Sequence, residues 1–137
     1  MPGNKKPSKK FKQRDVVRPL NMRNRWLTEG SVHAALLALE GGTFEEQHLA
    51  DLVAHADVVH RIAAPGTPEQ RQAETIIRMC GLVLKRGEYR VLPMEEVAIR
   101  AATKITAPFL QGARNHDILR AAKASMSDQN RWGGVRL

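Results

Sequence analysis

Aromatic side chains make up 4% of this 137-residue chain, cysteine occurs once, and no apolar run is long enough to span a bilayer. Each scarcity excludes something. A lone Cys80 leaves no intrachain disulfide, so the fold must be held by packing. Few aromatics argue against a β-rich fold and against a surface on which bases stack. Without a bilayer-length run, or an apolar signal core behind the basic start, the expectation is a cytoplasmic chain with no membrane partner. Catalytic signatures are missing too. The chain has no Gly-x-Ser-x-Gly elbow, no Gly-x-x-x-x-Gly-Lys phosphate loop and no pair of carboxylates flanked by aromatics. Glu45-Glu46 and Glu95-Glu96 read as first-turn charges on helices rather than as acid–base pairs. No catalytic residue, cofactor or enzyme activity is therefore expected.

Ala, Leu, Glu, Gln and Arg are abundant, and 42% hydrophobic content suffices for one domain with a core. Charge is distributed unevenly. Lys5, Lys6, Lys9, Lys10, Lys12, Arg14, Arg18, Arg23 and Arg25 face a single acid, Asp15, within residues 1–25, a net of +8. The remainder holds thirteen cations and thirteen acids. An anion-seeking arm on a neutral body is the pattern this makes.

Helical spacing and stop signals organise the rest into an all-α fold, a compact bundle of four to five helices with a disordered basic N-terminal arm. Residues 1–14 are the arm, 15–126 the helical domain and 127–137 a flexible C-terminal tail. Val16, Val17, Leu20, Met22, Trp26 and Leu27, interrupted by Pro19, read as an extended segment laid over the domain with Trp26 as its anchor. Ser31 caps a short, nearly apolar first helix that is expected to be largely buried and to end at Gly41-Gly42. Thr43, with Glu46 three residues on, predicts the capping box of the organising helix, whose Leu49, Leu52, Val53, Ala56, Val59 and Ala63 share a face. Thr67, Pro68 and Gln70 open the next helix, with Ala73, Ile76, Ile77, Cys80, Val83 and Leu84 inward and Gly87 as its stop. Pro93 opens another, for which Met94, Val97, Ala98, Ala101 and Ile105 are the expected core face and Pro108 the kink or end. The last helix begins near Asn115, with Ile118, Leu119, Ala122 and Met126 on one side.

The histidines and the cysteine are the residues that bear on chemistry. His48, Asp51 and His55 share a helix face, but two-turn spacing sets the two histidines roughly 10 Å apart along the axis, too far to grip one ion easily. No metal site is expected. Cys80, among Ile77 and Val83, reads as a small buried hydrophobe rather than a thiolate. The first two helices have the connection length of a helix-turn-helix, yet the second is too long and too acidic at its start to read a groove.

Several stretches together resemble a group of small helical proteobacterial proteins associated with prophages and other mobile elements. They are a basic start leading to Arg18-Pro19-Leu20-Asn21, then His33-Ala34-Ala35-Leu36-Leu37-Ala38-Leu39-Glu40-Gly41, Leu49-Ala50-Asp51-Leu52, and the connector from Gly87 to Glu95. The likeness covers about 100 residues; Pro108 and the Pro65-Gly66-Thr67-Pro68 turn depart from it. It implies a helical accessory protein and carries over no catalytic residue.

The expected function is non-enzymatic contact with nucleic acid or a nucleoprotein complex through the nine cations of the arm, DNA and RNA being equally open. The alternative is a protein-binding module, or an inhibitor of a host protein, acting through a helix face with Trp26 or Trp132 in the contact. An acidic host protein fits either reading.

Overall fold

The computed structural model describes residues 30–131, with side chains to residue 127. The expected arm and the segment around Trp26, and Trp132 at the other end, lie outside these residues. Five helices follow in order: α1 (Ser31–Gly41), α2 (Glu46–Ile62), α3 (Pro68–Arg86), α4 (Pro93–Gln111) and α5 (Asn115–Arg131). The described residues contain no strand, and no helix among them is long and apolar enough to cross a membrane.

Glycine ends α1 as expected. Gly42 adopts φ 75°, a left-handed conformation that suits glycine, and the Thr43 amide returns to the Ala38 carbonyl at 2.9 Å. Burial is less complete than the composition predicts, because Leu37 is 53% exposed. The start of α2 is also displaced. Thr43 lends its amide to the end of α1, and Glu45, in an extended conformation, is the cap of α2, its amide donating to Nδ1 of His48 at 2.9 Å. Phe44 stacks on the same imidazole with centroids 5.7 Å apart. By contrast α3 opens as read: the Gln70 amide donates to Oγ1 of Thr67, and the Gly66 amide to Oε1 of Gln70 at 2.8 Å.

Helix α2 is the centre of the bundle, packing on α1, α3 and α5 and touching α4. Its Leu49, Leu52, Ala56 and Val59 are fully enclosed with Ile76, Cys80 and Val83 of α3 and Ile99 and Ala102 of α4. Removing a leucine such as Leu52 from water stabilises the fold by about 1.5–3 kcal/mol.

The face assigned to α4 from its sequence is corrected by the structure. Met94, Val97 and Ile105 are 79%, 66% and 39% exposed, and Ala101 is exposed beside them. Glu95, Ile99, Ala102, Thr103, Thr106 and Leu110 point inward instead. Three of these six are polar, which hid the inner stripe from a hydrophobicity reading. Pro108 does not stop the helix, which continues to Gln111; Pro108 and Lys104, whose carbonyl loses its partner, both lie on the solvent side. In α5, Ala121 and Ser125 are buried alongside Ile118 and Ala122, while Met126 is exposed. That helix runs past the expected start of the tail to Arg131, since no glycine or proline interrupts it before Gly133.

Candidate functional site

The chemically capable side chains of the bundle are engaged separately. Nδ1 of His48 accepts the Glu45 amide. Asp51 accepts from Nε2 of Gln47 at 2.9 Å, and burial pushes its carboxyl above the usual aspartate value despite that bond and nearby His48. Nε2 of His55, fully buried, lies 2.8 Å from Oγ1 of Thr106, tying α2 to α4. His60 meets Glu74 of α3 at 3.0 Å. The three residues that share a face in the sequence thus have three different sets of partners. Among the described residues no three His, Cys, Asp or Glu side chains gather into a metal-binding group. Cys80 is fully enclosed, and burial pushes its thiol up to about 12, so at neutral pH it is a thiol and not a nucleophile.

A cavity of about 340 Å³ opens between the end of α2 and α5, lined by Arg61, Ile62, Asp117, Arg120, Ala121 and Ala124. Its lining has no nucleophile and no carboxylate pair. Arg61 is bonded to Asp57 at 2.9 Å, and Arg120 to Nε2 of His116 at 2.6 Å.

The connector between α3 and α4 is built tightly. Gly87, Glu88 and Tyr89 all have positive φ, at 92°, 60° and 51°. Arg86 spans the turn they make: one guanidinium nitrogen donates to the Arg90 carbonyl at 2.6 Å and to Oε1 of Glu95 at 2.8 Å, while the other bonds Oε2. Glu95 also accepts the Leu92 amide at 2.9 Å. The Arg86 bond holds the Glu95 carboxyl below its ordinary range, outweighing the burial that would raise it. This is a structural clamp, fully spent on the hairpin.

Two outer faces remain with surface to offer. The stripe of Met94, Val97, Ala101 and Ile105 makes the outside of α4 apolar. On α3, Arg71, Arg78 and Lys85 are all exposed at seven-residue spacing. The sequence reading passed over both. The α3 row is legible in the spacing but disappears in the neutral charge balance of the body, and the α4 stripe has the periodicity of a core face. The nine arm cations, Trp26 and Trp132 lie outside the described residues.

No known family model, curated protein or solved structure matches this chain.

Proposed function

We propose that this chain is a non-enzymatic accessory protein, of the kind its resemblance to the mobile-element group implies, which contacts nucleic acid or a nucleoprotein complex through its basic N-terminal arm. The observation that carries this reading is the segregation of charge: +8 within residues 1–25 against a balanced remainder. Cations so concentrated neutralise phosphates and release condensed counterions, giving affinity that is independent of base sequence and falls steeply with salt. The helical bundle supplies the folded body that carries the arm.

Removing residues 1–14 takes away five Lys and one Arg. Those six cations are expected to contribute roughly −4 to −5 to the slope of log affinity for DNA or RNA against log salt, a contribution that disappears in the truncated chain. Equal affinity of both forms overturns the reading.

The apolar outer stripe of α4 favours a second reading, a protein-binding module or inhibitor whose partner covers that helix face. Val97→Glu then abolishes capture of a nuclease-resistant partner while leaving the melting temperature within a degree or two, since Val97 contributes little to the core. A partner retained in full by that variant rules the stripe out.

A further inference from the structure

The formal neutrality of the body conceals a division. From Gly30 to His60 there are five acids, Glu40, Glu45, Glu46, Asp51 and Asp57, and neither Lys nor Arg. The outer face of α3 is the opposite. Seven residues advance a helix by nearly two whole turns, so Arg71, Arg78 and Lys85 stand in one row, about 10 Å apart and about 21 Å from end to end. Among the described residues Arg61, Arg86 and Arg100 are in ion pairs, with Asp57, Glu95 and Glu96; Arg71, Arg78 and Lys85 are not, nor are Arg90, Lys104, Arg114, Arg120 and Lys123, but the three of α3 stand in one line. Arg71 donates to the Gly66 carbonyl at 2.7 Å and Arg78 to the Thr75 hydroxyl at 3.5 Å, contacts that leave their charge uncompensated. One acid shares the face, Glu74, and it is bonded to His60.

We infer that this face of α3 is a second contact for a nucleic-acid phosphodiester backbone, acting beside the arm; the inference rests on the nucleic-acid reading above. Several properties favour a polyphosphate over a protein surface or a membrane. A protein interface wants an apolar centre, and this row offers only Leu82, 44% exposed. The same lack of apolar anchors disfavours insertion into a bilayer. Gly81, midway between Arg78 and Lys85, has nothing within 4 Å of where a side chain would begin, so the ridge is low there and a backbone can approach closely. At about 3.4 Å of duplex axis per base pair, the row is as long as roughly six base pairs.

The test uses the full chain, a fluorescent 20-base-pair DNA duplex and affinity measured across a salt series. Three variants are compared with the parent: R71Q/R78Q/K85Q; R78Q/K85Q, which keeps the Arg71 bond to Gly66; and an arm variant with Lys5, Lys6, Lys9, Lys10, Lys12 and Arg14 all changed to Gln. The triple variant is expected to lower the magnitude of the salt slope by roughly 2 to 3 and the affinity at 0.1 M salt by about a hundredfold, the double variant by about two thirds of that slope change, with melting temperatures unchanged. Parental slope and affinity in both α3 variants overturn the inference and leave the arm reading intact. Loss in the α3 variants with none in the arm variant overturns the arm and keeps the row. No binding by the parent at low salt overturns both. Binding to polyglutamate as tight as to DNA, lost equally in the triple variant, shows a general polyanion surface and overturns the assignment to nucleic acid.

Discussion

Helices α3 and α4 are each nineteen residues long and pack on one another, yet their polarity is arranged in opposite ways. The inside of α3 is Ala73, Ile76, Cys80 and Val83, with charge outside. The inside of α4 includes Glu95, Thr103 and Thr106, with Met94 and Val97 outside. Hydrophobic periodicity orients the first correctly and the second backwards. What decides the orientation of α4 is pairing. Glu95 is satisfied by Arg86 and by the Leu92 amide, Thr106 by His55, and Thr103 by the Arg100 carbonyl at 2.9 Å. A buried polar group with its bonds made costs little, whereas one left without partners costs roughly 1–3 kcal/mol, so the inner face is acceptable only in this rotation.

The sharpest way to break this comparison is to truncate residues on the two sides of α4. Ile99→Ala, at a fully buried position, should cost about 3 kcal/mol in urea unfolding, in line with Ile76→Ala on α3, while Val97→Ala stays within about 0.5 kcal/mol. Equal costs at Ile99 and Val97 would mean that α4 is rotated. Next in size is Glu95→Gln, expected to destabilise by about 2 kcal/mol through loss of a charged hydrogen bond at a side chain only 6% exposed. It also has a pH signature. Because Arg86 depresses the folded-state carboxyl, its stabilisation is fully present above the unfolded glutamate value of about 4.3 and is lost as pH falls through the lower folded value. Urea midpoints between pH 6 and pH 3 should therefore fall less steeply in Glu95→Gln than in the parent, and parallel curves would remove the clamp from the account.

Thr106→Val tests the other inward bond. It keeps the shape and deletes the hydroxyl that meets His55, so a loss of about 1–2 kcal/mol is expected, and a neutral result would show that His55 is satisfied without it. The smallest effects concern caps. Thr67→Ala should cost about 1 kcal/mol, whereas Thr43→Ala, which keeps the amide that closes α1 and removes a hydroxyl that caps neither helix, should fall within about 0.5 kcal/mol in the same melts.

Local chemistry made most of the fold legible. Thr67-Pro68 with Gln70, Pro93 with Glu95, and the glycines at 42 and 87 mark helix ends whose geometry depends on neighbours a few residues away. The α2 cap lies two residues beyond Thr43 because the box is closed by the His48 imidazole on the Glu45 amide, and an S/T-x-x-E pattern does not show a histidine in that role. The face of α4 was missed because its deciding bond, His55 to Thr106, joins residues on different helices that no periodicity links. Site legibility was lower still. The sequence directed attention to histidines, which turn out to be occupied one by one, and away from a cation row whose meaning depends on which acids lie elsewhere on the surface.

The order of helix packing also bears on how the chain reaches this structure. Helices α1 to α4 each rest on a neighbour in sequence, and the principal contact that skips neighbours is α5 on α2. Bundles built from such near contacts fold quickly, in microseconds to milliseconds, and the entropy of closing the long excursion back to α2 grows only slowly with its length. During synthesis from the N-terminus, α1 to α4 are complete before α5 exists. Among the described residues, the flank of α2 that α5 covers is therefore uncovered until α5 arrives, and docking of α5 is the step that withdraws it from solvent.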